Sequence, residues 1–304
     1  MKLAYLFSGQ GSQFAQMGMD LYRTNATYRA TIDEAATALQ VDLTEPTVWD
    51  DPAQVQVVIL AMSYAIYRQL TTQLPAPVAA VGLSLGEYSA LVASGALDFA
   101  AALRLVRDRS QYMATAGKQH PGKLAAVLKL NPQRVTELCD DYAGVYPANY
   151  NTARQTVIGG TSEAVTAIQP QLLAAGAKRV VPLAVAVASH TPLMESASKA
   201  LFKRLQAERF AAPAFPVISN TTNRPFTVEQ LPTTLASQLV KPTHFQQNLL
   251  QLVQDYHVDT VVELGPGTTL SKFAKQTVPN LVTYHVDTVE TLQQVQAALQ
   301  VRSE

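Results

Sequence analysis

The chain is short of several things. Among its 304 residues there is one cysteine, Cys139, so no intrachain disulfide can form. Charged residues are 15% of the total, and 23 Lys and Arg are matched by 23 Asp and Glu. A balanced charge excludes a global field for nucleic acid or a membrane surface, and leaves room for a local basic patch facing an acidic partner. Long apolar runs are missing too. The internal run 57–62 cannot span a bilayer, which takes about 20 residues of helix. Residues 3–7 are too short for a signal segment and run into Ser, Gly and Gln. A cytoplasmic protein is expected. The five histidines, His120, His190, His244, His257 and His285, have no i+3 or i+4 partners, so no metal site emerges. Gly9-Gln10-Gly11-Ser12-Gln13 lacks a third glycine and a Gly-Lys-Ser/Thr, which excludes the usual phosphate and dinucleotide loops.

What is present is a 48% hydrophobic chain that can bury a sizeable core. Short runs rich in Val, Ile or Leu at 2–7, 78–81, 216–219, 261–264 and 281–285 are each followed by turn residues and a helical pattern. That is the signature of a parallel sheet covered by helices. The middle of the chain differs. Strand-like segments at 124–130, 145–149, 155–158 and 178–187 enclose helical patterns at 132–139 and 164–175. The order β-α-β-β-α-β is ferredoxin-like. The expected division is a large α/β domain from residues 1–120 and 190–304, with a small ferredoxin-like subdomain at 121–189 inserted in it. A cleft between the two is the natural ligand site.

The sharpest local signal is Val81-Gly82-Leu83-Ser84-Leu85-Gly86-Glu87. It places a G-x-S-x-G pattern after a strand and before a helix. On such a turn the serine is strained and exposed, and the glycines remove Cβ atoms where backbones crowd. The helix N-terminus behind it can stabilise an oxyanion. The competing reading is a plain corner with a capping serine. A serine nucleophile needs a base. His257 sits in a polar helix end, His285 ends a strand, and His120 lies in a Gly/Pro loop. His190 follows the last strand of the insert at the return to the large domain, where it can face the cleft. Cys139, followed by Asp140 and Asp141, is a poor candidate thiolate.

Together these residues resemble the malonyl-CoA:acyl-carrier-protein transacylases of fatty acid synthesis, a family that includes the acyltransferase domains of polyketide synthases. The resemblance runs along nearly the whole chain. It rests on Phe7-Ser8-Gly9-Gln10-Gly11-Ser12-Gln13, on GLSLGEYSAL at 82–91, and on VRDRSQYM at 106–113 around Arg109. Asn149-Tyr150-Asn151 with Gln155, Ser189-His190-Thr191-Pro192-Leu193-Met194 and Glu263-Leu264-Gly265-Pro266-Gly267 complete it.

The resemblance implies an α/β-hydrolase-like parallel sheet domain with an inserted ferredoxin-like subdomain. It implies a ping-pong transfer of malonyl from malonyl-CoA to Ser84, then to the phosphopantetheine thiol of acyl carrier protein. His190 would be the base, and the backbone amides of Gln10 and Leu85 the oxyanion hole. Arg109, at the far end of the pocket, would pair with the malonyl carboxylate. Without the resemblance, Arg109 beside Arg104, Arg107 and Asp108 reads as a solvated helix face. Gln56 and Asn151 match polar positions near the site, and His244 matches the residue whose backbone carbonyl orients the histidine. No metal or prosthetic group is implied, since coenzyme A enters as a substrate thioester. The acidic carrier would meet basic residues at the cleft mouth, with Lys178, Arg179 and Arg154 as candidates. Ser8, Leu83 and a 151–155 loop without Pro-Gly depart from the family pattern, and none removes a reacting group. Competing functions are a serine hydrolase or thioesterase, a transacylase of malonate decarboxylation or polyketide assembly, and a non-catalytic carrier-binding module.

Overall fold

In the computed structural model, which describes residues 1–45, 48, 54–185 and 187–301, the apolar runs of the two chain ends meet in one sheet. Strands β1 (Leu3–Phe7), β2 (Ala79–Gly82), β7 (Val217–Ile218), β8 (Thr260–Leu264) and β9 (Val282–Val286) take the order β7-β2-β1-β8-β9, every pair parallel. β1 is buried at every position. Leu3, Tyr5 and Phe7 enter one core and Ala4 and Leu6 another, as the two-residue period of a strand covered on both faces demands.

Helices α1 (Met19–Thr24), α2 (Ala26–Leu39), α3 (Val55–Leu70), α4 (Gly86–Ala93) and α5 (Phe99–Gln119) build the first core. The small subdomain contributes α6 (Pro132–Asp140), α7 (Ser162–Ala167) and α8 (Gln169–Ala174). Then follow α9 (Glu195–Leu205), α10 (Leu231–Ser237), α11 (Phe245–Tyr256), α12 (Thr269–Thr277) and α13 (Val289–Val301). Phe245, Leu249 and Leu252 of α11 and Leu270 and Phe273 of α12 cover the second face. None of the described helices is long and apolar enough to cross a membrane.

A second sheet holds β3 (Gly122–Leu128), β4 (Val145–Thr152), β5 (Gln155–Thr161) and β6 (Arg179–Pro182), all antiparallel in the order β4-β5-β3-β6. This is the ferredoxin-like strand order, and its core of Val127, Val135, Ile158 and Leu172 is separate from the other two. The small sheet is stitched beside the cleft to the segment that leads into α11. Thr243 donates its N–H to Ala148 O at 2.9 Å and accepts from Tyr150 N–H at 2.8 Å.

Two elements differ from the sequence reading. The strand expected at 178–187 ends at Pro182, which lacks the N–H needed to extend the ladder, although Leu183 N–H still reaches Leu124 O at 2.9 Å. Ala186 lies outside the described residues. The helix expected at 164–175 is two helices meeting at Ile168, with Pro170 in the first turn of the second. A proline is tolerated there and not in a helix interior.

Candidate active site

The turn between β2 and α4 is shaped by close approach. A Cβ on Gly82 would overlap the Gly86 carbonyl group, and one on Gly86 would overlap Phe7 O on β1. Only glycines let the strand, the turn and the neighbouring strand pass so closely. Ser84 between them sits at φ 53°, in the left-handed region that side chains avoid. Its N–H is held by Asn220 Oδ1 at 2.8 Å, a tether from the end of β7. Asn220 Nδ2 in turn donates to Asn248 Oδ1 at 2.8 Å, so the tether is itself held.

His190 is 3% exposed and also left-handed, at φ 63°. Its Nε2 is 3.0 Å from Ser84 Oγ, and its Nδ1 is 2.7 Å from the backbone oxygen of Gln238. A carbonyl only accepts, so Nδ1 carries the proton and Nε2 presents its lone pair to the serine. Burial lowers the histidine to about 4, opposed by its hydrogen bond to the Gln238 carbonyl and, less, by that of Lys241, with the Arg109 charge adding to the lowering. The ring is therefore neutral at pH 7.

Gln238 corrects the expectation for His244. A main-chain carbonyl does face the histidine, but it belongs to a residue six positions earlier, just past α10. His244 instead starts α11, stacks on Tyr150 with ring centroids 5.1 Å apart, and donates its N–H to Asn220 O. The 239–243 segment also faces His190, with Leu239 O accepting from the His190 N–H at 2.8 Å and the Lys241 carbonyl adding to the pull on the ring, whereas the His244 N–H is taken by Asn220 O.

Arg109 shows why its helix position matters. Ala102, Leu105, Val106, Met113 and Ala116 of α5 are buried at helical spacing, and Arg109 lies on the same stripe, 1% exposed. Arg104 is exposed instead. The guanidinium stands beside the serine rather than at the far end of the pocket. Its Nη2 is 3.1 Å from Ser84 Oγ and 3.1 Å from Gln238 Oε1, and its Nη1 is 2.6 Å from Gln56 Oε1. Because arginine only donates, Ser84 Oγ accepts from it and directs its own proton to His190. Arg109 Nε is buried with no hydrogen-bond partner among the described residues, and the guanidinium lies 5.5 Å from the centre of the Tyr88 ring.

Gln56 opens α3 and passes the contact on, its Nε2 donating to Gln10 Oε1 at 3.1 Å. The backbone amides of Gln10 and Leu85 donate to nothing among the described residues, and both residues line the cleft above Ser84. Asn151 lines the opposite wall. Its Nδ2 donates to Gln155 at 3.0 Å while its Oδ1 is buried with no partner among the described residues. The whole cleft encloses about 680 Å³ between the two sheets, its apolar side formed by Met113, Leu124, Ala126 and Val157.

Just beyond Asn151, four cations share one end of the small sheet. Lys129 N–H donates to Arg154 O at 2.7 Å, Lys178 N–H donates to Leu128 O at 2.8 Å, and Leu128 pairs with Arg179. All four side chains are exposed, and none makes an ion pair among the described residues. Lys178 and Arg154 push the Lys129 ammonium below its ordinary range.

Sequence reasoning missed Gln238, Asn220 and Glu87. Glu87 carried the one usable signal, a lone acid in the apolar helical stretch after Ser84. Cys139 is buried, with its thiol pushed up to about 12 by burial and by Asp140. His120 and His257 are exposed helix ends, and His285 lies on β9 with Asp287 at 3.8 Å. No group of three or more metal-binding side chains occurs among the described residues.

A serine on a strained turn, a neutral imidazole at 3.0 Å and unpaired amides above it form a site fit for nucleophilic acyl transfer. The comparisons give the same class. The acyl transferase domain model matches residues 4–298, and the chain belongs to that family. It is 36% identical to the malonyl CoA-acyl carrier protein transacylase of Escherichia coli K12 over 292 residues, 92% of this chain and 94% of that protein. The Bacillus subtilis protein of the same name is 33% identical over 303 residues, 96% of this chain and 95% of that one. The crystal structure of the Streptococcus pneumoniae MCAT superposes with a TM-score of 0.93 at 38% identity, covering 98% of this chain and all of that one. A malonyl-transacylase in complex with its type II PKS acyl-carrier protein gives a TM-score of 0.93 at 32% identity, with 98% of this chain and 100% of that one covered.

Proposed function

We propose that this chain transfers the malonyl group from malonyl-CoA to the phosphopantetheine thiol of acyl carrier protein through an ester on Ser84. One observation carries the reading: a neutral His190 Nε2 and the buried Arg109 guanidinium meet the same oxygen, Ser84 Oγ, from two sides. In the first half-reaction the hydroxyl proton passes to Nε2 as Oγ attacks the thioester carbonyl. The amides of Gln10 and Leu85 receive the developing oxyanion, and each such donor is typically worth ~10²–10³ in rate. Collapse breaks the C–S bond. The imidazolium, a strong acid in its buried setting, returns the proton to the departing coenzyme A sulfur. The second half-reaction runs the same steps in reverse with the carrier thiol, so two bulky carriers use one cleft in turn.

The Arg109 fork suits a carboxylate in a way that a lysine would not. Its Nη2 already stands 3.1 Å from Ser84 Oγ, beside the place where a bound acyl group would arrive. Gln56 holds the fork in place, and Asn151 offers a buried carbonyl to the acyl group or to the arm behind it. The basic end of the small sheet, with Lys129, Arg154, Lys178 and Arg179, suits an acidic carrier arriving beside the cleft. We read the chain as a large domain of residues 1–120 and 190–304 carrying the 121–189 insert. We also read it as a cytoplasmic enzyme that needs no prosthetic group.

The decisive experiment is peptide mapping after incubation with malonyl-CoA and, separately, acetyl-CoA. A malonyl adduct on the peptide holding Ser84, absent from Ser84→Ala, is the expected result. An adduct that persists in Ser84→Ala moves the nucleophile elsewhere. Release of free malonate by water, faster than exchange onto a thiol, would make the chain a hydrolase.

A further inference from the structure

One carboxyl group at the site has no part in the transfer just described. Glu87 lies one turn beyond Ser84 on α4 and is fully buried. One of its oxygens accepts from the Asn220 N–H and the other from Gln238 Nε2. The Gln238 amide is oriented from its other side. Arg109 can only donate, so the oxygen 3.1 Å from its Nη2 is Oε1. Nε2 then faces Glu87, and also Ser84 O at 3.0 Å. A single amide thus stands between a buried cation and a buried carboxyl group and touches both. Neither Arg109 nor Glu87 makes an ion pair with anything else among the described residues.

A buried charge needs a counter-charge, and a second like charge added to a balanced pair must be neutralised. When ionised, Glu87 is the acid placed to balance Arg109. A dicarboxylic acyl group brings a carboxylate of its own to the same guanidinium. We propose that Glu87 sets the acyl preference of the site: ionised Glu87 and the acyl carboxylate compete for the charge of Arg109, so loading of a dicarboxylic acyl group is linked to a proton on Glu87, and loading of a neutral one is not. The proton comes from solvent and no covalent bond changes. The inference rests on the reading of Arg109 as partner of the acyl carboxylate.

The competition falls in an accessible pH range. Burial lifts Glu87 to about 8, against the pull of its Asn220 and Gln238 hydrogen bonds and of Arg109. The other titratable groups around this cluster lie outside that range. His190 across from Arg109 is lowered to about 4, and Tyr88 beside it on α4 is pushed up to about 12, both chiefly by burial. Arg109 is lowered by burial yet keeps its charge, and Gln56, Asn220 and Gln238 do not ionise.

The test is the ratio of kcat/KM for malonyl-CoA to that for acetyl-CoA between about pH 6.5 and about pH 9.5. The phosphates of the two substrates titrate alike and cancel. The wild-type ratio should fall as pH rises past about 8, approaching about tenfold per pH unit for one linked proton. Glu87→Gln, neutral at every pH, should give a flat ratio. A flat wild-type ratio overturns the proposal, as does a Glu87→Gln ratio that falls in parallel. Should Glu87→Gln not fold, calorimetry of the wild type in two buffers of different ionisation heat decides. Above the Glu87 titration, malonyl-CoA should draw up to about one proton more per acyl-enzyme than acetyl-CoA, and equal uptake refutes the coupling. Absence of any malonyl-Ser84 adduct at pH 7 instead sinks the transfer reading, whereas an adduct with a flat ratio sinks only the role of Glu87.

Discussion

The turn around Ser84 and the basic end of the small sheet are built on opposite principles. At the turn, glycines admit no Cβ, Ser84 and His190 sit in left-handed backbone, and Asn220, Gln238 and Glu87 hold the Ser84 amide, the His190 Nδ1 and one another. At the sheet end, four cations are exposed, unpaired and carried on a hairpin and strand ends. A reacting centre needs atoms fixed to a fraction of an ångström, and buried networks supply that. A surface that greets a transient charged partner needs field rather than fit. We propose rate for the first region and carrier encounter for the second, and substitutions can separate the two.

The largest effect is expected at the buried end. His190→Ala should slow acylation of Ser84 by ~10²–10⁴, as loss of a general base does; near-normal single-turnover rates would clear it of that role. In the wild type, the lowered histidine stays unprotonated well below the ordinary imidazole range. Acylation should therefore hold as pH falls through 6.5 and be lost only near 4, and a midpoint at the ordinary value would mean that the ring is solvated. Next in size is Arg109→Ala. Loss of one charged hydrogen-bonding partner is worth ~1.5–3 kcal/mol, so preference for malonyl over acetyl should fall roughly ten- to hundredfold. Unchanged selectivity would remove Arg109 from acyl recognition.

The exposed region should give smaller effects that depend on salt. Reversing Lys129, Lys178 and Arg179 to Glu should slow transfer to the carrier by about tenfold or more at low ionic strength and much less at high salt. Loading from malonyl-CoA should hardly change, and equal damage to both half-reactions would dissolve the contrast between the two regions. The smallest effect is expected for His244→Ala. It removes a ring stacked on Tyr150, worth about 0.5–1.5 kcal/mol of packing, and leaves the Gln238 carbonyl on His190. A loss of acylation as deep as that of His190→Ala would return the orienting role to position 244.

The same contrast governs what could be read from the chain beforehand. The Ser84 turn was legible because its requirement is local: strand, two glycines, serine and helix fall within a dozen residues. The parallel sheet and the ferredoxin-like insert were legible from short apolar runs and their intervals, while the order β7-β2-β1-β8-β9 was not. Where Pro182 and Pro170 stood inside expected elements, the missing N–H moved the boundary by a few residues. Arg109 was ambiguous for a definite reason. A charge beside Arg104, Arg107 and Asp108 reads as solvated until the helix is laid on its core and Arg109 proves to lie on the apolar stripe.

By itself, then, the order of residues determined the elements, the two-sheet architecture and the serine with its strained turn, because each depends on neighbours a few positions apart and on a two- or 3.6-residue period. Which carbonyl faces His190, which side chain tethers the Ser84 amide and which acid sits across from Arg109 were decided by tertiary structure alone. Asn220 is 136 residues from Ser84, and Gln238 is 151 from Glu87. No local pattern relates groups so far apart. They become partners only when the sheets close over them and each buried polar atom must take the acceptor or donor that folding leaves within reach.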